Sequence, residues 1–385
     1  MKIVYRVISY ILVATLAAFG ALYFVYTKNV KVEETKLDQI TRLIEERFIG
    51  ESDRTALEDA AAEAMIDALG DEWSYYIPAN EYQSYREQMA NAYVGIGITI
   101  MEREDSIGFD VTKVNVGGPA DVAGMLAGDV IVGIEGQSTL GMSAEEAKNI
   151  VRGEENTTVS ITVRRGEEEL TLNIIRMQVQ TPVAEGRMLE DNIGLITIAN
   201  FDSRCFEESK AAIQQLLQDG ATALIFDVRN NPGGYKDELV KLLDYLLPEG
   251  PLFRAEDYTG KTYVDNSDMK HLDVPMAVLV NGYSYSAAEF FAAAISEYEA
   301  GIVVGQQTYG KGYFQTTIPL KDGSAIALSV GKYTTPNGVN LAGVGITPHI
   351  VVEVDEETDF AIYAGILDPA EDPQIQAAVD ALKAN

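Results

Sequence analysis

The sequence is short of the residues on which much hydrolase and metal chemistry depends. Among 385 residues there is one cysteine, Cys205, and there are two histidines, His271 and His349. A single cysteine excludes an intrachain disulfide framework and every multi-cysteine metal site. Two histidines leave little material for a Ser-His-Asp triad, since His271 lies in the polar run 266–273 and His349 follows Pro348 at the entry to a strand. No Gly-x-Ser-x-Gly elbow and no His-Glu-x-x-His helix is present. Basic residues are also scarce, 29 against 59 acidic ones, for a formal charge of −30. Nucleic acid is therefore excluded as a partner, because phosphate binding needs a basic face. No cofactor or metal is expected. What remains is a globular composition, 47% hydrophobic and 23% charged, long enough for two or three domains.

Charge is unevenly spread. Residues 1–31 carry Lys2, Arg6, Lys28 and Lys31 and no acid, so the rest of the chain is more acidic than the whole. Between Arg6 and Lys28, residues 7–26 hold no charge. In helix they would span about 30 Å, one hydrocarbon thickness. Tyr5, Tyr10, Tyr23 and Tyr26 sit near the ends, where interfacial aromatics belong. The run is long for a signal peptide, and Ala17-Ala18 is followed by more apolar residues. Residues 1–31 are thus expected to form a single-pass anchor in the cell membrane, with the acidic remainder extracytoplasmic.

Residues 32–91 read as a helical collar: Leu37, Ile40, Leu43, Ile44 and Phe48 recur at helical spacing, and the alanine-rich stretch 56–69 ends at Gly70. Residues 92–178 change to short strands and turns, and Ser143 and Glu146 have capping-box spacing before a helix at 144–151. Residues 179–354 alternate strand and helix: strands at 193–199, 223–228, 276–280 and 302–304, helices at 206–217, 238–247 and 287–298. This predicts an α/β layer with a mostly parallel centre, closed by a hairpin around Lys321-Asp322-Gly323. An acidic tail, 355–385, ends in a helix from Gln374.

Within 92–178 the order Gly95-Ile96-Gly97, then Gly118-Pro119-Ala120, then Ala123-Gly124, then Gly128-Asp129-Val130-Ile131 resembles a PDZ domain of the kind found in bacterial proteases. The resemblance implies capture of a chain's C-terminal carboxylate by the backbone amides of Gly95, Ile96 and Gly97, the peptide adding as an extra strand.

Chemistry concentrates in three strand-end segments. The first is Asp227, Arg229, Asn231, Pro232, Gly233 and Gly234, a glycine turn that lets other groups approach closely. The second is 281–289, which brings Ser284 and Ser286 to the start of a helix, where free amides and the dipole favour an oxyanion. A plain N-cap serine explains the same spacing. The third is Lys311 between Gly310 and Gly312, followed by Gln315. Residues 305–311 also match the glycines and lysine of a phosphate-binding loop, but Gly312 stands where the magnesium-binding hydroxyl belongs, and a strand follows instead of a helix. Strand ends on one edge of an α/β sheet usually make the site. A serine and a lysine there suggest a Ser-Lys pair, which needs no histidine, provided burial keeps the lysine neutral.

Taken in order, the anchor, collar, PDZ segment, Asp227–Gly234 turn, serine segment and Gly305-x-x-Thr308-x-Gly310-Lys311-Gly312-x-x-Gln315 resemble the carboxyl-terminal processing (tail-specific) protease family over nearly the whole chain. The resemblance implies a crotonase/ClpP-like α/β core. It makes Ser286 the nucleophile, Lys311 the general base and Gln315 the residue orienting the lysine, and places the oxyanion hole at Gly233, Gly234 and Ala287. Protein C-termini are the implied substrates, and a homo-oligomer stays open. One departure is visible. The family usually has Ser-Ala-Ser-Ala-Ser-Glu where this chain has Ser284-Tyr285-Ser286-Ala287-Ala288-Glu289, which leaves Ser284 a rival to Ser286. A non-catalytic PDZ scaffold with a degenerate protease-like domain is the alternative. If Gln315 is to touch Lys311, the chain between them must turn, because four extended residues cover about 13 Å.

Overall fold

The computed structural model describes Thr15, Phe19 and residues 34–103 and 107–384. The expected membrane segment 7–26 falls almost entirely outside these. Among the described residues no helix is long and apolar enough to cross a membrane.

The chain divides after Leu69 into two units. In the first, helix Lys36–Arg47 is started by Thr35, whose hydroxyl accepts from the Asp38 amide while the Asp38 carboxylate accepts from the Thr35 amide. Asp53 caps helix Arg54–Asp67 through its side chain, accepting from the Thr55 amide at 2.8 Å. Leu37, Ile40 and Leu43 form an exposed apolar row.

Among its described residues, the second unit holds three sheets and a two-stranded pair. Strands Ile98–Glu102, Phe109–Val114, Val130–Ile134, Thr158–Arg165 and Glu168–Ile175 follow one another across the first sheet. They enclose Ile96, Phe109, Met125, Ile131, Ile161 and Ile174 under helix Ala144–Val151. Among the described residues, strand Ile98–Glu102 pairs on one side only, with Phe109–Val114, and its other edge is open.

The central sheet runs in the order Ala184–Met188, Ile193–Ile198, Ala223–Asp227, Met276–Val280, Gly301–Gly305, Ile350–Val351. The first pair is antiparallel and the rest parallel. Ala223–Asp227, apolar up to its terminal aspartate, and Met276–Val280 are buried at every residue, as apolar runs in a parallel sheet should be. One face is covered by helices Cys205–Gln218, Lys236–Leu246 and Ala287–Glu297. Lys236–Leu246 buries Leu239, Leu242, Leu243 and Leu246, spaced as one helical stripe. Helix Pro373–Ala384 packs Ile375, Ala378 and Val379 on the other face.

A third sheet is antiparallel: Tyr75–Ile77, Ala325–Thr334, Gly250–Asp257 and Thr262–Ser267 in that order, with Tyr313–Pro319 also on Ala325–Thr334. The alternating strand-helix pattern passes over two of these, Gly250–Asp257 and Thr262–Ser267. The collar is corrected too: Tyr75–Ile77 is a strand whose residues pair with Ala325–Ala327, so residues 71–77 are tied to the sheet that carries the lysine loop.

Candidate active site

Three parallel strands end side by side, and the loops that leave them are stitched together. The Asn281 side-chain oxygen accepts from the Asn230 amide at 2.9 Å, and its nitrogen donates to Asn230 Oδ1. The Tyr285 amide donates to the Asn231 carbonyl, and Asn231 Nδ2 donates to the Ile198 carbonyl. Arg229 is buried between Asp227 at 2.6 Å and Asp372 at 2.8 Å, and also donates to Gln374, so the start of the last helix closes this turn. Buried charges of this kind hold only as a complete set.

Ser286 stands at φ +57°, ψ −125°, immediately before the buried helix Ala287–Glu297. Positive φ is rare for a residue with a Cβ and costs about 1–3 kcal/mol unless its surroundings enforce it. They do so here. Its amide donates to Glu289 Oε2 at 3.1 Å, and its hydroxyl oxygen accepts from Tyr333 at 3.1 Å. Gly233 packs directly beneath: a Cβ there would lie 2.7 Å from Ser286 Cβ and 2.9 Å from the Ala287 nitrogen. Ser284 is fully buried, its hydroxyl donating to the Val228 carbonyl and accepting from the Asn281 amide, so the rival serine is a structural one.

Lys311 occupies the third loop. Its amide and that of Gly310 donate to Glu289 at 2.9 and 2.7 Å, and the Thr308 hydroxyl donates to the same carboxylate at 2.7 Å. The loop that resembles a phosphate cradle is therefore filled by the chain's own carboxylate, and strand Tyr313–Pro319 follows it. Fully buried Glu289 thus accepts from the backbone of both Ser286 and Lys311. Burial pushes its ionisation above the usual carboxylate range, against the hydrogen bonds from Thr308, Lys311, Gly310 and Ser286.

The lysine side chain is held differently. Its Nζ lies 4.1 Å from the Trp73 ring centre and 5.8 Å from that of Tyr285. Trp73, Tyr285 and Tyr309 pack together at 5.2–5.9 Å between centres. The Trp73 segment is fixed by Ser74, whose oxygen donates to Asp71 and accepts from the Ser329 amide. Burial lowers the Lys311 ionisation to about 8, while Asp71, Glu289 and Glu72 pull the other way. No hydrogen bond joins Lys311 Nζ to Ser286 Oγ, although the backbones of both residues are bonded to Glu289.

Two expected roles are corrected. Gln315 does not reach Lys311: it lies in the extended strand that starts at Tyr313, opposite Ser329, and its amide nitrogen donates to Ser329 Oγ at 3.0 Å. The Gly233 amide is not available to an oxyanion, because it donates to Asn231 Oδ1 at 2.8 Å. Among the described backbone groups none accepts from the Gly234 or Ala287 amide. Of the histidines, His349 accepts from the Val303 amide and contacts Ser296, and His271 is exposed. In the first sheet, Gly97 takes φ +76° and Ile96 is buried, and the segment leads into the open-edged strand Ile98–Glu102. Sequence reasoning missed Trp73 and Tyr333 and gave Glu289 no role. Only Glu289 carried a signal, as the acidic residue three positions after a serine at a helix start.

These features define a PDZ-bearing peptidase of the α/β kind. The peptidase family S41 model matches residues 192–352, and a PDZ domain model matches 111–165. A probable CtpA-like serine protease of Staphylococcus aureus (strain COL) is 32% identical over 357 residues, covering 90% of this chain and 71% of that protein. The CtpA-like relatives it matches are longer, and the chain spans 65% to 71% of their length. A putative S41 protease from Bacteroides fragilis superposes with a TM-score of 0.54 at 14% identity, over 84% of this chain and 90% of that one. The photosystem II D1 C-terminal processing protease is 28% identical, with a TM-score of 0.49, over 81% and 86%. The chain belongs to peptidase family S41, alongside the CtpA-like serine proteases.

Proposed function

We propose that the protein is a serine endopeptidase of the C-terminal processing type. Ser286 Oγ attacks the scissile carbonyl and its proton passes to neutral Lys311 Nζ. The carbonyl oxygen takes the negative charge beside the Ala287 and Gly234 amides and the positive end of helix Ala287–Glu297. The carbon-nitrogen bond then breaks, the leaving amine takes the proton from Lys311, and water later hydrolyses the acyl-serine by the same base in reverse. The observation that carries this reading is Ser286 at positive φ on a buried helix start, its backbone joined through Glu289 to a desolvated lysine. Substrate C-termini would be gathered at Gly95–Gly97, the peptide pairing with the open edge of Ile98–Glu102. On the charge pattern of residues 1–31, the chain is anchored in the cell membrane through residues 7–26, with the protease outside.

The test offers the detergent-solubilised full chain an unfolded protein with an apolar C-terminus. Cleavage should vanish in Ser286→Ala and in Lys311→Ala while circular dichroism stays unchanged; cleavage that persists in either overturns the assignment. One observation favours the PDZ scaffold reading, the absence of a Ser286–Lys311 hydrogen bond. Tight tail-peptide binding with no turnover under any condition would establish that reading instead.

A further inference from the structure

Tyr333 lies in strand Ala325–Thr334 and is 3% exposed. Its ring is packed by Phe290 at 4.4 Å, Phe253 at 5.7 Å and Phe314 at 6.2 Å between centres. Its amide donates to the Gly312 carbonyl, next to Lys311, and its carbonyl accepts from Asn340. The hydroxyl donates to Ser286 Oγ at 3.1 Å and has no other hydrogen-bond partner among the described residues. A buried tyrosine hydroxyl usually finds a hydrogen-bond partner. Here the acceptor is the oxygen read as the nucleophile, and the strand presenting the tyrosine is bonded to the lysine loop.

We propose that Tyr333 acts directly on the nucleophile: by donating a hydrogen bond to Ser286 Oγ it fixes that oxygen and leaves the serine proton for Lys311. A serine oxygen has two lone pairs and one hydrogen. Tyr333 occupies one lone pair, so the other can face the substrate and the hydrogen can face the base. No proton moves from the tyrosine, whose ionisation burial pushes well above its ordinary value. After acylation the same donor still faces Oγ, which is now the ester oxygen that must depart when water attacks. The inference rests on reading Ser286 as the nucleophile.

The test is the rate at which a small fluorophosphonate labels the full chain, with the modified residue mapped by mass spectrometry. Wild type should label at Ser286. Tyr333→Phe should label about tenfold more slowly, the effect of losing one hydrogen bond to a reacting atom, with kcat falling in step and KM nearly constant. To separate the donor from packing, Tyr333 is replaced by 4-aminophenylalanine, which keeps an N–H donor, and by 4-methylphenylalanine, which keeps only the volume. The amino variant should label about tenfold faster than the methyl variant. Equal labelling rates in that pair, with wild type modified at Ser286, overturn the role of Tyr333. Failure of wild type to label at Ser286 overturns the nucleophile assignment instead.

Discussion

The serine loop and the lysine loop share one buried carboxylate, yet they hold the side chains of Ser286 and Lys311 by different means. On the serine side both backbone and side chain are hydrogen-bonded: the Ser286 amide to Glu289, its hydroxyl to Tyr333. On the lysine side only the backbone is. The amides of Gly310 and Lys311 are bonded to Glu289, while the ammonium rests on the face of Trp73. Backbone geometry is thus fixed on both sides, and the lysine is parked. On the proposed Ser-Lys reading, the lysine must leave the Trp73 ring to serve Ser286. A cation over an indole is worth about 0.5–2 kcal/mol, small enough for substrate binding to overcome.

The largest expected effect breaks the comparison at its lysine end. Lys311→Met keeps the apolar stem and removes the base, and should lower kcat/KM by about 10⁴-fold or more with the fold intact, as read by peptide cleavage and thermal melting. Next, Asp372→Ala leaves Arg229 short of a partner in a buried site. Asp227 and Gln374 still hold Arg229, so the loss is one charge-assisted hydrogen bond, about 1.5–3 kcal/mol, and the melting temperature should fall although residue 372 is remote in sequence. Glu289→Gln turns one acceptor oxygen into a donor facing donors from both loops. It should cost about 1–3 kcal/mol and lower kcat more than it raises KM, measured by melting and steady-state kinetics together. The smallest effect is on the parked side chain. Trp73→Leu keeps a hydrophobic cover and removes the ring face, so basal cleavage should rise about two- to tenfold, the reverse of an ordinary core truncation.

The sequence made some of this legible. The strands at 193–198, 223–227, 276–280 and 301–305 are short apolar runs bounded by glycine or polar turns, so both their existence and their common edge could be read. A serine-lysine pair could be suspected from that edge and from the scarcity of histidine, but the choice of Ser286 and Lys311 rested on the family resemblance. The place of Gln315 was not legible, because spacing alone cannot show that the chain is already extended at Tyr313, where strand pairing turns the side chain toward Ser329. Gly233 was half legible: the need for a residue without a Cβ beside Ser286 could be anticipated, but not that Asn231 takes its amide. Trp73 and Tyr333 lay out of reach for another reason. Each meets the site through pairing with strands far away in the chain, and no local pattern in a single sequence encodes such a contact. The expected anchor at 7–26 has its support in charge and length alone.

The most direct measurement is kcat/KM for an unfolded-protein or peptide substrate as a function of pH, wild type beside Lys311→Met. With the Lys311 ionisation lowered to about 8 by burial, the lysine is mostly charged and unable to accept a proton below that pH, and mostly neutral above it. Wild-type activity should therefore climb as pH rises through about 8 and then level off, and the residual rate of the variant should lack that limb. A wild-type profile flat across this range, or the same rise persisting in Lys311→Met, would contradict the claim that a desolvated lysine is the base.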